Sequence, residues 1–188
     1  MSSMLLNNKT LEILEEFSSD YSRKFYGRQI AKKLKMNQKT VANMLNKMEK
    51  EHVLKFSTEG KNKYYYLNRF SPKIKDIIKI IEINKKIRFL ENNSRLKDLF
   101  DKLEQRTQGL LIVFGSYANN KETESSDLDI FVIGKISDVN DLQSTYNIKI
   151  NIIKSEKSKF NRDEPFIKEI IKNHVILKGI EEFIELIW

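Results

Sequence analysis

Residues 111–134 read LIVFGSYANNKETESSDLDIFVIG, and the fold turns on how that run is divided. The apolar stretch Leu110 to Phe114 has the character of a buried strand. Gly115 and Ser116 break it, a polar loop of ten residues follows, and Asp127-Leu128-Asp129 opens a second apolar run. With Asp127 to Ile133 extended, residues two apart share a face, so the two carboxylates project together with roughly 6 to 7 Å between their Cα atoms. Leu128, Ile130 and Val132 then supply the buried side.

The chemistry of these residue types is specific. A glycine turn lets backbone approach a phosphate closely, and Ser116 adds a hydroxyl. Magnesium takes oxygen ligands and keeps waters and substrate phosphates in its shell, so two converging carboxylates are a usable protein contribution. The pattern of an apolar strand, Gly-Ser, ten residues and Asp-x-Asp resembles the minimal nucleotidyltransferases of the DNA polymerase β-like superfamily, without an insertion. The resemblance implies Asp127 and Asp129 as catalytic and metal-binding residues and Gly115 and Ser116 as nucleotide-binding residues. It also implies Mg2+ or Mn2+ and a nucleoside triphosphate, in the first instance ATP.

The chain departs from the family pattern at one place. Active members carry a third aspartate on the next strand, and the candidate strand here is Ile148 to Ile153. Its isoleucines at 148, 150 and 152 share one face, and Lys149 and Asn151 share the other. Asn151 therefore stands where the carboxylate is expected. Its amide oxygen can ligate a metal, but it carries no charge and accepts no proton from an attacking hydroxyl. Asp138, Asp141 and Glu156 read as surface or capping residues.

Charge is uneven along the chain. Of the formal net charge of +8, residues 1–70 hold 14 Lys and Arg against 7 Asp and Glu, whereas residues 71–188 hold 20 against 19. The basic surface is thus expected in the first module. There, an amphipathic segment Leu11 to Phe17 precedes a helix over Tyr26 to Lys35. Asn37 then caps a second helix that buries Val41, Met44, Leu45 and Met48. Its outer face presents Gln38, Lys39, Thr40, Asn43 and Lys47, residue types that contact base edges and phosphates. Val53 to Thr58 and Lys63 to Leu67 alternate as a hairpin around Glu59-Gly60-Lys61-Asn62. Over about residues 4 to 68 this order resembles a winged helix-turn-helix, which implies double-stranded DNA as partner through those five residues together with Lys61 and Lys63.

Ser71-Pro72 reads as the start of a long helix. Within it Ile74, Ile77, Ile78 and Ile81 form one stripe, and Ile80, Ile83, Ile87 and Leu90 form another, for intramolecular burial or for a homodimer. Asn92-Asn93 interrupts it, Leu96, Leu99, Phe100 and Leu103 resume the periodicity, and Thr107-Gln108-Gly109 ends the next helix. Beyond Asn151, a helix from Asp163-Glu164-Pro165 is expected to turn Phe166, Ile167, Ile170 and Ile171 inward. A strand from His174 to Leu177 and a helix from Ile180 to Trp188 follow. His174 reads as structural and Trp188 as a packing anchor.

The expected fold class is α+β. An N-terminal winged helix-turn-helix occupies 1–70, a linking helix 71–91, and a C-terminal polymerase β-like nucleotidyltransferase domain, with a mixed sheet flanked by helices, 92–188. The absence of cysteine excludes disulfides and finger-type zinc, and a cytoplasmic location is expected, with no membrane span or signal segment. Three functions follow. The first is a DNA-binding transcriptional regulator whose second domain binds Mg-NTP and can carry nucleotidyl transfer. The second is an active nucleotidyltransferase that adenylylates a protein partner, antitoxin-like, with a HEPN-type protein as the acceptor the resemblance implies. The third is a catalytically inactive DNA-binding scaffold.

Overall fold

The computed structural model describes residues 7–123 and 125–188. Residues 1–6, which the sequence reading placed in the first module, and Glu124 in the polar loop lie outside the described residues. The architecture is mixed α and β, and the chain divides into two compact units, Met1–Ile81 and Glu82–Trp188.

In the first unit, α1 (Asn8–Glu15) continues into a short 3-10 turn. The two-residue strand β1 (Phe25–Tyr26) leads into α2 (Gly27–Lys33), and α3 (Gln38–Lys50) follows. The Asn37 side chain accepts hydrogen bonds from the backbone N–H groups of Lys39 and Thr40, which satisfies donors that a helix start leaves open. Strands β2 (Leu54–Glu59) and β3 (Asn62–Leu67) form a hairpin whose tip is Gly60 and Lys61, with Glu59 opposite Asn62. β1 pairs with β3 to complete an antiparallel sheet in the order β1-β3-β2. Phe17, Phe25, Ile30, Val41, Leu45, Met48 and Tyr65 are buried, and Phe17 meets Phe25 edge-on at 4.9 Å between ring centroids. Met44 is only half-buried.

α4 (Ile74–Asn92) begins after Ser71-Pro72, not at it, because the Ile74 N–H closes a turn onto the Ser71 carbonyl first. Its stripe of Ile74, Ile77, Ile78 and Ile81 is buried, whereas Ile83 and Ile87 are 46% and 49% exposed. The division between the units falls within this helix.

The second unit holds a 3-10 turn, α5 (Lys97–Arg106), β4 (Thr107–Phe114), α6 (Gly115–Ala118), β5 (Leu128–Ile136), α7 (Asn140–Tyr146) and β6 (Ile150–Ser155). After these come α8 (Pro165–Lys172), β7 (His174–Lys178) and α9 (Ile180–Ile187). The sheet order is β6-β5-β4-β7, with β5 and β6 parallel and the other pairs antiparallel. β4 starts at Thr107, three residues before the expected Leu110, since backbone pairing to Ile136 extends the ladder past the last apolar residue. β6 likewise runs from Ile150 and not Ile148.

Alternation gives the sheet two buried faces. Leu111, Val113, Leu128, Ile130, Val132, Val175 and Leu177 pack with Phe89, Leu99, Phe100, Leu103 and Leu142. The residues between them face α8 and α9, where Phe166 lies 6.0 Å from Phe114 and 6.3 Å from Phe131, and Phe183 lies 4.8 Å from the His174 ring. Ile167 and Ile170 are buried as expected, but Phe166 is 39% exposed. At the opposite end of the β4–β5 ladder, Gly109 faces Gly134. A Cβ on Gly109 would strike the Ile133 carbonyl, and one on Gly134 the Gln108 carbonyl.

His174 is buried in a charged cluster. Its Nδ1 donates to the Ile171 carbonyl at 2.6 Å, and Nε2 is 3.0 Å from the Glu82 carboxylate and 3.1 Å from Lys85 Nζ. Burial, and then the Lys85 ammonium, hold its pKa below the usual histidine value. Neutral, with Nδ1 protonated, the ring accepts from Lys85, while Glu82 pairs with Lys85 at 2.9 Å. Among the described residues no helix is long and apolar enough to cross a membrane.

Candidate nucleotide and metal site

Asp129 is a residue of β5, and its rung pairs it with Phe114 of β4 on one side and Asn151 of β6 on the other. Gly115 follows Phe114 directly, so the Gly-Ser turn and the acidic pair are neighbours across a strand boundary. The contact is intimate: a Cβ on Gly115, whose φ is +73°, would come within 2.5 Å of Asp129 Oδ2. Asn119 Nδ2 donates to the Gly115 carbonyl at 2.8 Å, and the Ser116 carbonyl accepts from the N–H groups of Asn119 and Lys121. These bonds tie the turn back on itself and leave Ser116 half-buried.

Asp127 lies one residue before β5. The Leu128 N–H reaches the Lys149 carbonyl at 2.8 Å, which brings residues 127 and 149 alongside each other. Asn151 Nδ2 donates to Asp127 Oδ2 at 3.2 Å and to Asp129 Oδ1 at 3.0 Å. One nitrogen within reach of both carboxylates establishes that they converge. Lys149 Nζ donates to Asp127 Oδ2 at 2.7 Å. The Lys149 ammonium first, and the Asn151 amide second, hold the Asp127 carboxyl below its ordinary value, and Asp127 in turn raises the Lys149 ammonium.

The donor set fits one divalent cation. Asp127 and Asp129 would supply two oxygens, and Asn151 could turn its amide to add a third. Among the described residues no group of three His, Cys, Asp or Glu side chains gathers anywhere, so a second ion would lack a carboxylate of its own. A polar open cleft of about 550 Å³ adjoins the cluster. It is lined by Asp127 and Lys149 together with Ser126, Asn140, Gln143 and Asn147, and it does not include Gly115, Ser116, Asp129 or Asn151. The convergent carboxylates, not the larger cleft, mark the chemistry.

Asp127, Asp129, Asn151 and Gly115 are thus brought together, and Ser116 follows Gly115 in the chain. Lys149 and Asn119 were not assigned roles from sequence. The strand alternation had put Lys149 on the face of Asn151, which was the available signal, whereas the Asn119 bond depends on the geometry of the turn. In the first unit Gln38, Lys39, Thr40, Asn43 and Lys47 are all exposed on α3, opposite buried Val41, Leu45 and Met48. Lys61 is exposed at the hairpin tip, and Lys63 Nζ sits 4.2 Å above the Phe56 ring.

Residues 93–185 match the family model described as nucleotidyltransferase domain. No curated protein matches the chain. A solved structure described as "Crystal structure of the toxin-antitoxin with AMP-PNP" aligns at 18% identity over 55% of this chain and 78% of that chain, with a TM-score of 0.32, a likeness too slight to carry function across. The family match falls within the second unit, the one that carries the acidic pair and the Gly-Ser turn.

Proposed function

We propose that this domain binds a nucleoside triphosphate with one divalent cation at Asp127 and Asp129 and transfers its nucleoside monophosphate to an acceptor hydroxyl. The observation that carries the reading is the single Asn151 nitrogen within hydrogen-bond distance of both carboxylates. Asp129 packed on bare Gly115 backbone adds that the turn and the acids serve one ligand. A bound cation would polarise the phosphate oxygens and offset their charge. Asp127 and Asp129 hold and orient it, Gly115 admits phosphate close to the main chain, and Ser116 offers a hydroxyl. In the transfer the acceptor oxygen bonds to the α-phosphorus as the bond to pyrophosphate breaks. Asn151 takes no proton, so the proton passes to water or to a base on the acceptor. That absence makes transfer slow unless the acceptor brings its own base.

The test is incubation with labelled ATP and Mg2+ beside candidate acceptors, a HEPN-type protein first among them. Label appears on the acceptor with the native chain and disappears with Asp127→Ala or Asp129→Ala. Absence of both transfer and triphosphate binding would overturn the reading.

The exposed face of α3 favours a second activity in the first unit. The five polar and basic side chains opposite its buried stripe, and the basic hairpin tip, suit a winged helix-turn-helix reader of duplex DNA. The chain would then be a DNA-binding regulator with a nucleotide-responsive second domain. Gel shifts at increasing salt test it, since affinity resting on phosphate contacts falls steeply as salt rises.

A further inference from the structure

Lys149 has no part in the transfer described above, yet its ammonium sits at the edge of the acidic cluster, 2.7 Å from Asp127 Oδ2. Its side chain is 67% exposed, so the head is free to swing on its stem, which lines the polar cleft beside Asp127. Together Asp127, Asp129 and Lys149 leave the cluster with a single net negative charge. That suffices for one divalent ion with its waters and phosphate oxygens. A second such ion would meet no third carboxylate among the described residues, and Asn151 brings no charge to attract it.

We propose that Lys149 is the second cation of this site. Without ligand the ammonium pairs with Asp127. When a triphosphate arrives with a single divalent ion, the ion takes the Asp127 oxygen, and the displaced ammonium pairs with phosphate oxygens of the nucleotide. Lysine suits the exchange, being a compact point charge with three donors on a flexible stem. A lysine that competes with the metal for one oxygen and then helps to hold the nucleotide acts in opposite directions on the two ligands. This inference rests on the nucleotide-binding reading, and it assigns the site one metal ion per bound nucleotide.

The experiment uses the full chain, Mn2+ counted by electron paramagnetic resonance, and a non-hydrolysable ATP analogue followed by calorimetry. The native chain takes up a single Mn2+ in the presence of analogue. Lys149→Ala binds Mn2+ alone several-fold more tightly, because Asp127 is released, and binds the analogue about tenfold more weakly, in the range of one charge-assisted phosphate contact. Lys149→Arg keeps most of the analogue affinity, which a packing defect would not predict. A second Mn2+ on the native chain, or unchanged analogue affinity in Lys149→Ala, would overturn the assignment and leave nucleotide binding standing. A native chain that binds Mn2+ but no analogue would overturn both.

Discussion

Asp129 rests against Gly115 so closely that a methyl group on the glycine would lie within 2.5 Å of the carboxylate oxygen. Gly115 also has φ +73°, where a side chain is strained by roughly 1–2 kcal/mol. Gly115→Ala is therefore expected to lower unfolding stability by about that amount in urea titrations. It should also displace the carboxylate and weaken Mg-ATP analogue binding well beyond any loss of fold. Unchanged binding would mean that the turn and Asp129 do not share a ligand.

Asn151→Asp places a third carboxylate between the two that the amide now bridges. Without metal, the like charges repel and raise the pKa values of the cluster, so the melting temperature at neutral pH falls below that of the native chain. Added Mn2+ should reverse the loss and raise melting by more than it does for the native chain. A variant indifferent to Mn2+ would show that the three positions do not converge.

Lys39 and Lys47 are exposed on the same face of α3. If each meets a phosphate, Lys39→Ala and Lys47→Ala should each make the slope of log affinity against log salt shallower by about 0.9. Circular dichroism should be unchanged, since neither side chain is buried. A salt slope equal to that of the native chain in both variants would remove α3 from the DNA interface.

Arg106 grips Asp141 through paired bonds of 2.5 and 2.6 Å and also reaches the Asp138 carbonyl at 2.7 Å. The guanidinium lowers the Asp141 pKa to about 2. A depressed carboxylate contributes stability that is present above its unfolded pKa, near 4, and lost as pH falls towards about 2. Asp141→Asn is expected to flatten the acid limb of the stability profile between those values, with little change in its shape near neutrality. An acid limb identical in the two chains would show that the pair does not persist in solution.

Glu82 is fully buried between Lys85 and His174. Glu82→Ala leaves the Lys85 ammonium without that carboxylate in a dry site, so a loss of about 3–5 kcal/mol is expected in chemical denaturation. A loss under about 1 kcal/mol, the range of surface pairs, would mean that water reaches the cluster.

Much of this was legible in the sequence because its signals are local. The alternation of Leu128, Ile130 and Val132 defines the buried face of β5, and Asn37 announces the start of α3. The same period of two put Asn151 and Lys149 on one face of their strand, whereas the place of Asn151 beside the acidic pair was what the family resemblance implied. What was missed depends on distant partners. β1 is too short to show alternation, and its pairing with β3 bridges about forty residues of chain. Phe166 is apolar and lies at helical spacing with Ile170, yet it stays part-exposed with its ring against Phe114 and Phe131. Lys149 resembled any solvated lysine until Asp127 was placed alongside it. Its cationic role depends on that neighbour and not on its own position in the pattern.

The two glycines at the far end of the β4–β5 ladder bear on alignment. Gly109 and Gly134 stand opposite each other where only hydrogen atoms fit between the backbones. Slippage by one residue would push the side chain of Gln108 or Leu110 into that gap and exchange the residues that β4 presents to the two faces of the sheet. Chain entering the sheet is thereby clasped at its remote corner, and the tolerance with which Phe114 meets Asp129 five rungs away is set there, by two residues that touch no ligand.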